Sequence, residues 1–125
     1  RGVDDPIDRI FALLARYREL IVLTDCSYGC PIGSLALELH EPDPIVRERM
    51  AENFHKWIGA IRTCLEQASG RLAQGADLQA IAEFVLTVME GAVMQARTHH
   101  DVAFFDRAVA ELRGYFDRMT EGGER

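Results

Sequence analysis

Hydrophobic positions recur every three to four residues along most of this chain, and that spacing predicts helices. Ile7, Ile10, Phe11, Leu14, Tyr17 and Ile21 form one stripe, which Leu13 and Leu20 widen enough to touch neighbours on two sides. Asp5-Pro6 opens this first helix, because Asp caps free backbone N–H groups and proline tolerates the first helical position. A short second helix is predicted from Pro31, with Ile32, Leu35, Ala36 and Leu39 on one side. "HEPDP", from His40 to Pro44, ends it, since a residue before proline is pushed out of helical geometry.

Asp43-Pro44 starts a long third helix with the stripe Met50, Phe54, Trp57, Ile58, Ile61, Leu65, Ala68 and Leu72, closing near Gly70 or Gly75. Asp77 caps a fourth helix and Asp101 a fifth. No useful length alternates with period two, so no strand is predicted. The expected fold is all-α, an antiparallel bundle of about five helices.

The fourth and fifth helices differ from each other. On the fifth, Phe104, Phe105, Ala108, Val109, Leu112, Tyr115, Phe116 and Met119 share a face opposite Asp106, Arg107, Arg113, Asp117 and Arg118. On the fourth, Leu78, Ile81, Ala82, Phe84, Val85, Leu86, Val88, Met89, Ala92 and Val93 sweep an arc of roughly 200° at the helical angle per residue. Small Ala80 and Gly91 lie at its edge, where a second helix could approach closely. Two readings follow: a central helix within one bundle, or a helix facing its own core on one side and a partner subunit on the other.

Composition narrows the function. The 125 residues suit one domain, and 48% apolar with 27% charged residues is an ordinary globular balance. A net charge of −6, with no clustered cations, argues against direct nucleic-acid binding. No apolar run approaches about 18 residues, which argues against a membrane span. No signal peptide is visible, and three cysteines do not suggest a secreted disulfide framework, so a reducing cytoplasm is expected.

Candidate chemistry is sparse. Cys26, Cys30, His40, His55, His99 and His100 could supply metal ligands, but no second tight pair completes a four-ligand zinc site, and neither metal nor cofactor is expected. His99-His100 reads as a solvated helix end, and Cys64 as a small core hydrophobe. No phosphate loop and no Ser–His–Asp arrangement is placed, so no enzymatic role is expected. Ligand binding has better material: Phe11, Tyr17, Tyr28, Phe54, Trp57, Phe84 and Met89 are large, soft or aromatic, and could form core or pocket alike. Arg18 and Gln95 fall among apolar positions and need a partner, either a ligand or a neighbouring acid.

The order of elements carries a resemblance. An amphipathic helix, a "YGCPIGSLALEL" elbow, the helix "RERMAENFHKWIGAIRTCLEQASGRL", then "DLQAIAEFVLTVMEGAVMQAR" and a last amphipathic helix resemble the C-terminal domain of a TetR-family transcriptional regulator. Gly29, Cys30, Gly33, Ala36 and Glu38 match a G-C-x-x-G-x-x-A-x-E stretch of one branch. Phe54, Trp57 and Ile61, then Glu90 to Ala92 and Arg97, fit as well.

The resemblance implies a homodimeric repressor whose last two helices pair across a twofold axis, through Phe84, Val88, Gly91, Ala92, Gln95, Phe105, Val109, Leu112 and Phe116. It implies a small, lipophilic effector among the core helices, and the helix faces make Phe11, Leu14, Tyr17, Arg18, Tyr28, Cys30, Leu35, Phe54, Trp57, Ile58, Ile61, Val85 and Met89 the candidates to line its site. Residues 5–23 would lead from a DNA-binding helix-turn-helix that this chain lacks, so DNA would be a partner only through that domain. Two other classes compete: a helical module docking another protein without a small ligand, and a thiol sensor using Cys26 and Cys30. Within the elbow, Gly29, Pro31 and Gly33 read as a hinge beside a binding site.

Overall fold

The computed structural model describes residues 4–27, 29 and 43–124. Four α-helices lie among them: α1 (Pro6–Leu23), α2 (Pro44–Gln67), α3 (Leu78–His99) and α4 (Ala103–Glu124), with a 3₁₀ turn at Ser69–Arg71. They are the first, third, fourth and fifth predicted helices. The predicted short helix over 31–39 lies outside the described residues, as do Tyr28, Cys30 and Leu35. No strand occurs among the described residues, and the fold is all-α as expected.

The four predicted aspartate caps all form. Asp5 Oδ1 accepts from the Ile7 and Asp8 amides (2.8 and 3.2 Å), and Asp43 from Ile45 (2.9 Å). Asp77 accepts from Ala80 (3.0 Å) and Asp101 from Ala103 (2.9 Å). Each supplies an acceptor to amides that have no partner inside the helix. The C-terminal ends differ from expectation. Helix α2 stops at Gln67, before either glycine, and Gly70 sits inside the 3₁₀ turn; of the two, Gly75 has a positive φ (81°).

Helices α1 and α3 end in left-handed turns built on residues other than glycine. After α1, Asp25 takes φ 53°; its amide donates to the Val22 carbonyl and that of Cys26 to Ile21. After α3, His100 takes φ 54°; its amide donates to Arg97 and that of Asp101 to Ala96. Both are the paired closure that usually recruits glycine. The exit from α1 thus turns at Asp25 and Cys26, while Pro31 and Gly33 of the expected hinge lie outside the described residues. The two turns face each other, with His100 Nε2 3.6 Å from Asp25 Oδ2.

Helix α3 is the centre of the bundle, packed against α1, α2 and α4. Ile81, Ala82, Val85, Leu86, Met89, Ala92, Val93 and Ala96 bury its inner side. They meet Ile10 and Leu14 of α1, Ile61 and Leu65 of α2, and Phe105, Leu112 and Phe116 of α4 in one apolar cluster. By length and composition alone α3 is long and apolar enough to cross a membrane, although charged and polar residues interrupt its apolar positions. Its buried side is the common core of the other three helices.

Candidate functional site

Helices α1 and α4 are fastened by charge as well as by apolar contact. Arg18 donates two parallel hydrogen bonds to Asp106, Nε to Oδ1 at 2.7 Å and Nη2 to Oδ2 at 3.1 Å. That pair holds the Arg18 guanidinium even more firmly protonated than usual. Further along, Arg113 of α4 donates to Asp8 (3.0 Å) and lays its guanidinium over the Phe11 ring, 3.8 Å from the centroid. Phe11 also meets Phe116 edge-on at 5.8 Å. At the start of α1, Asp5 caps with one oxygen and accepts from Arg71 (2.9 Å) with the other.

Arg18 therefore does not turn toward the interior. Its side chain is half exposed, and the neighbouring acid left open by the sequence is its partner. The other interior candidates do come together. Phe11, Leu14, Ile58, Ile61, Val85 and Met89 belong to the single buried cluster, and Tyr17, Phe54 and Trp57 pack on it half-buried. These residues bring α1, α2 and α3 to one place. The Trp57 indole stands apart: its Nε1–H is enclosed without a hydrogen-bond acceptor, alone in this among the described side chains. A buried donor left in that state costs about 1–3 kcal/mol.

The pairing candidates divide into two groups. Ala92, Phe105, Leu112 and Phe116 are no more than 2% exposed in the single chain. Side chains so enclosed belong to the core of the single chain. Phe84, Val88, Gly91 and Gln95 instead run at four-, three- and four-residue steps along the outer side of α3. Phe84 is 44% exposed, and nothing lies within 4 Å of where a Cβ on Gly91 would stand. Met94, which the sequence reading passed over, extends this stripe at 46% exposure. Val109 is half-buried on α4, where Tyr115 packs its ring 5.3 Å from Phe84.

The remaining polar candidates are less organised. Cys26 and Cys64 are half-buried free thiols, and any pairing of Cys26 with Cys30 lies outside the described residues. His99 stacks flat on Phe104 at 3.9 Å, with Arg107 on that ring as well, which braces the corner between α3 and α4. Among the described residues no three His, Cys, Asp or Glu side chains gather as a metal site.

Residues 6–112, nearly the whole bundle, match the family described as "Tetracyclin repressor-like, C-terminal domain". The chain belongs to this family. An uncharacterised HTH-type transcriptional regulator in each of two strains of Mycobacterium tuberculosis is 26% identical over 111 residues, covering 86% of this chain. That alignment takes in 56% of each relative, so the chain spans about half the length of the regulators it matches. No solved structure matches. In this TetR-like domain, then, the bundle is the C-terminal fold of that family, and the relatives it matches are described as HTH-type transcriptional regulators.

Proposed function

We propose that this TetR-like domain binds a small, lipophilic effector and forms a homodimer, and so controls operator binding by a helix-turn-helix domain elsewhere in the parent regulator. The parent would act in the cytoplasm, and the chain itself would carry no catalytic step. One observation carries the reading: α3 is apolar on two sides. Its inner side is filled by the chain's own core, while Phe84, Val88, Gly91 and Met94 leave an apolar outer stripe. Exposed apolar side chains such as Phe84 and Met94 on one side of a helix are the kind of surface that a partner covers. A second copy offers the same stripe, and the open space at Gly91 suits close helix approach in a twofold, self-complementary interface.

The same architecture supports a coupling route. Helix α1 contributes Phe11 and Leu14 to the interior, and its ion pairs to Arg113 and Asp106 hold it on α4. An effector that binds one arrangement of α1 better than another shifts the population toward it, and equal affinity for both shifts nothing.

Sedimentation equilibrium over a concentration series tests the pairing. A dimer is expected for the native chain, and a monomer for Phe84→Glu combined with Gly91→Arg, at unchanged helical content by circular dichroism. A native chain that stays monomeric at high micromolar concentration overturns it. Effector binding is checked separately by thermal-shift screening against lipophilic compounds.

A further inference from the structure

The indole Nε1–H of Trp57 lies inside the protein with no acceptor, whereas the half-buried ring around it still reaches solvent. Trp57 sits on the α2 side that carries Phe54, Ile58 and Ile61, and packs on the cluster shared by α1, α2 and α3. Four of the described arginines are already engaged: Arg18 by Asp106, Arg62 by Glu66 and Gln79, Arg71 by Asp5, and Arg113 by Asp8. No charged or polar residue is fully buried among the described residues.

From this we infer that Trp57 is the polar anchor of the effector site, and that the effector is an uncharged apolar molecule bearing one hydrogen-bond acceptor, such as a ketone or ester. The inference rests on the effector-binding reading above and names the chemistry of that site. An indole N–H donates and cannot accept, so the complementary group must bring a lone pair. A carboxylate would bring one, but it would also bring a charge into surroundings where the described residues supply no buried cation, and that is costly. An ammonium would meet a donor with a donor. A hydrocarbon would fill space and leave the indole unpaired. Small-molecule sites of this kind are mostly apolar, with a few polar groups that fix orientation.

Trp57 is the chain's only tryptophan, so its indole gives a single resonance in a nitrogen–proton correlation spectrum. The test titrates the 125-residue chain with two matched sets: cyclooctanone beside cyclooctane, and methyl decanoate beside decane, decanoate and decylammonium. The ketone and ester are expected to bind roughly three- to tenfold more tightly than their hydrocarbons, the worth of one net hydrogen bond. Their binding should move the indole proton downfield. In Trp57→Phe the advantage should vanish while hydrocarbon affinity stays within about twofold, since the ring remains and the donor is gone.

If Trp57→Phe fails to fold, the indole resonance of the native chain still decides. Equal binding of carbonyl compound and hydrocarbon with an unmoved indole signal overturns the anchor and leaves the effector reading standing. Tightest binding by decanoate or decylammonium overturns the uncharged class. An indole proton already bonded to a fixed water, detected by magnetisation transfer and unchanged on titration, also overturns it. Silence from every compound in both sets counts against the effector reading itself, and the anchor falls with it.

Discussion

Asp5 shows how much one side chain does at the entrance to the bundle. Burial raises its carboxyl pKa, but the Asp8 and Ile7 amides and the Arg71 guanidinium outweigh this and leave it below the ordinary value of 3.8. A carboxyl with a lowered folded-state pKa adds stability that is complete above the unfolded value and is lost as pH falls through the folded one. Asp5→Asn keeps a capping acceptor and removes the charge. The native chain should therefore have the higher melting temperature at neutral pH, and the gap should close below about pH 4. A gap of constant size from neutral pH to about pH 2 contradicts this. Asp5→Ala also removes the cap and should cost roughly 1 kcal/mol. The capping half was legible in "DDPI", since capping is local. The Arg71 half was not, because 66 residues separate the two and a periodic pattern names a face without naming its neighbour.

At the scale of elements, α1 and α4 are joined by a mixed contact that no single pattern predicts. The Arg113 guanidinium is planar, so it stacks on Phe11 while a hydrogen bond reaches Asp8. Arg113→Lys keeps the charge and loses the flat stack, with an expected loss of about 0.5–1 kcal/mol in chemical denaturation. In a Phe11→Leu background the same substitution should be nearly neutral. An equal loss in both backgrounds shows that the ring contributes nothing. Sequence reading placed Arg113 and Arg18 correctly as polar positions but left their partners open. It also grouped Phe105, Leu112 and Phe116 with a partner-facing surface, because an apolar stripe looks the same whether its own chain or another covers it. Trp57 illustrates the complementary blind spot: a hydropathy pattern records the ring and ignores its one donor.

Over the whole molecule, the order of helices, the all-α class and the two-sided nature of α3 were legible, since each follows from long periodic segments. The lateral arrangement was not, as it depends on which faces meet across long stretches of chain. Arg18 and Asp106 are 88 residues apart, and Asp8 and Arg113 are 105 apart. Helices α2 and α3, and α3 and α4, are by contrast sequential neighbours with extensive packing. Closing a long loop costs entropy before its contacts return anything, so contacts between sequence neighbours form first. The first helix of the chain is thus expected to be the last to dock, and the first to leave under mild denaturant. Native-state hydrogen exchange should show α1 amides opening at a lower free energy than those of α3. Identical opening energies in both helices would mean that the bundle opens as one unit. If α1 does open by itself, the chain has an intermediate in which a bundle of α2, α3 and α4 persists while α1 is released. The fastening between the first and last helices then sets how often that state is visited.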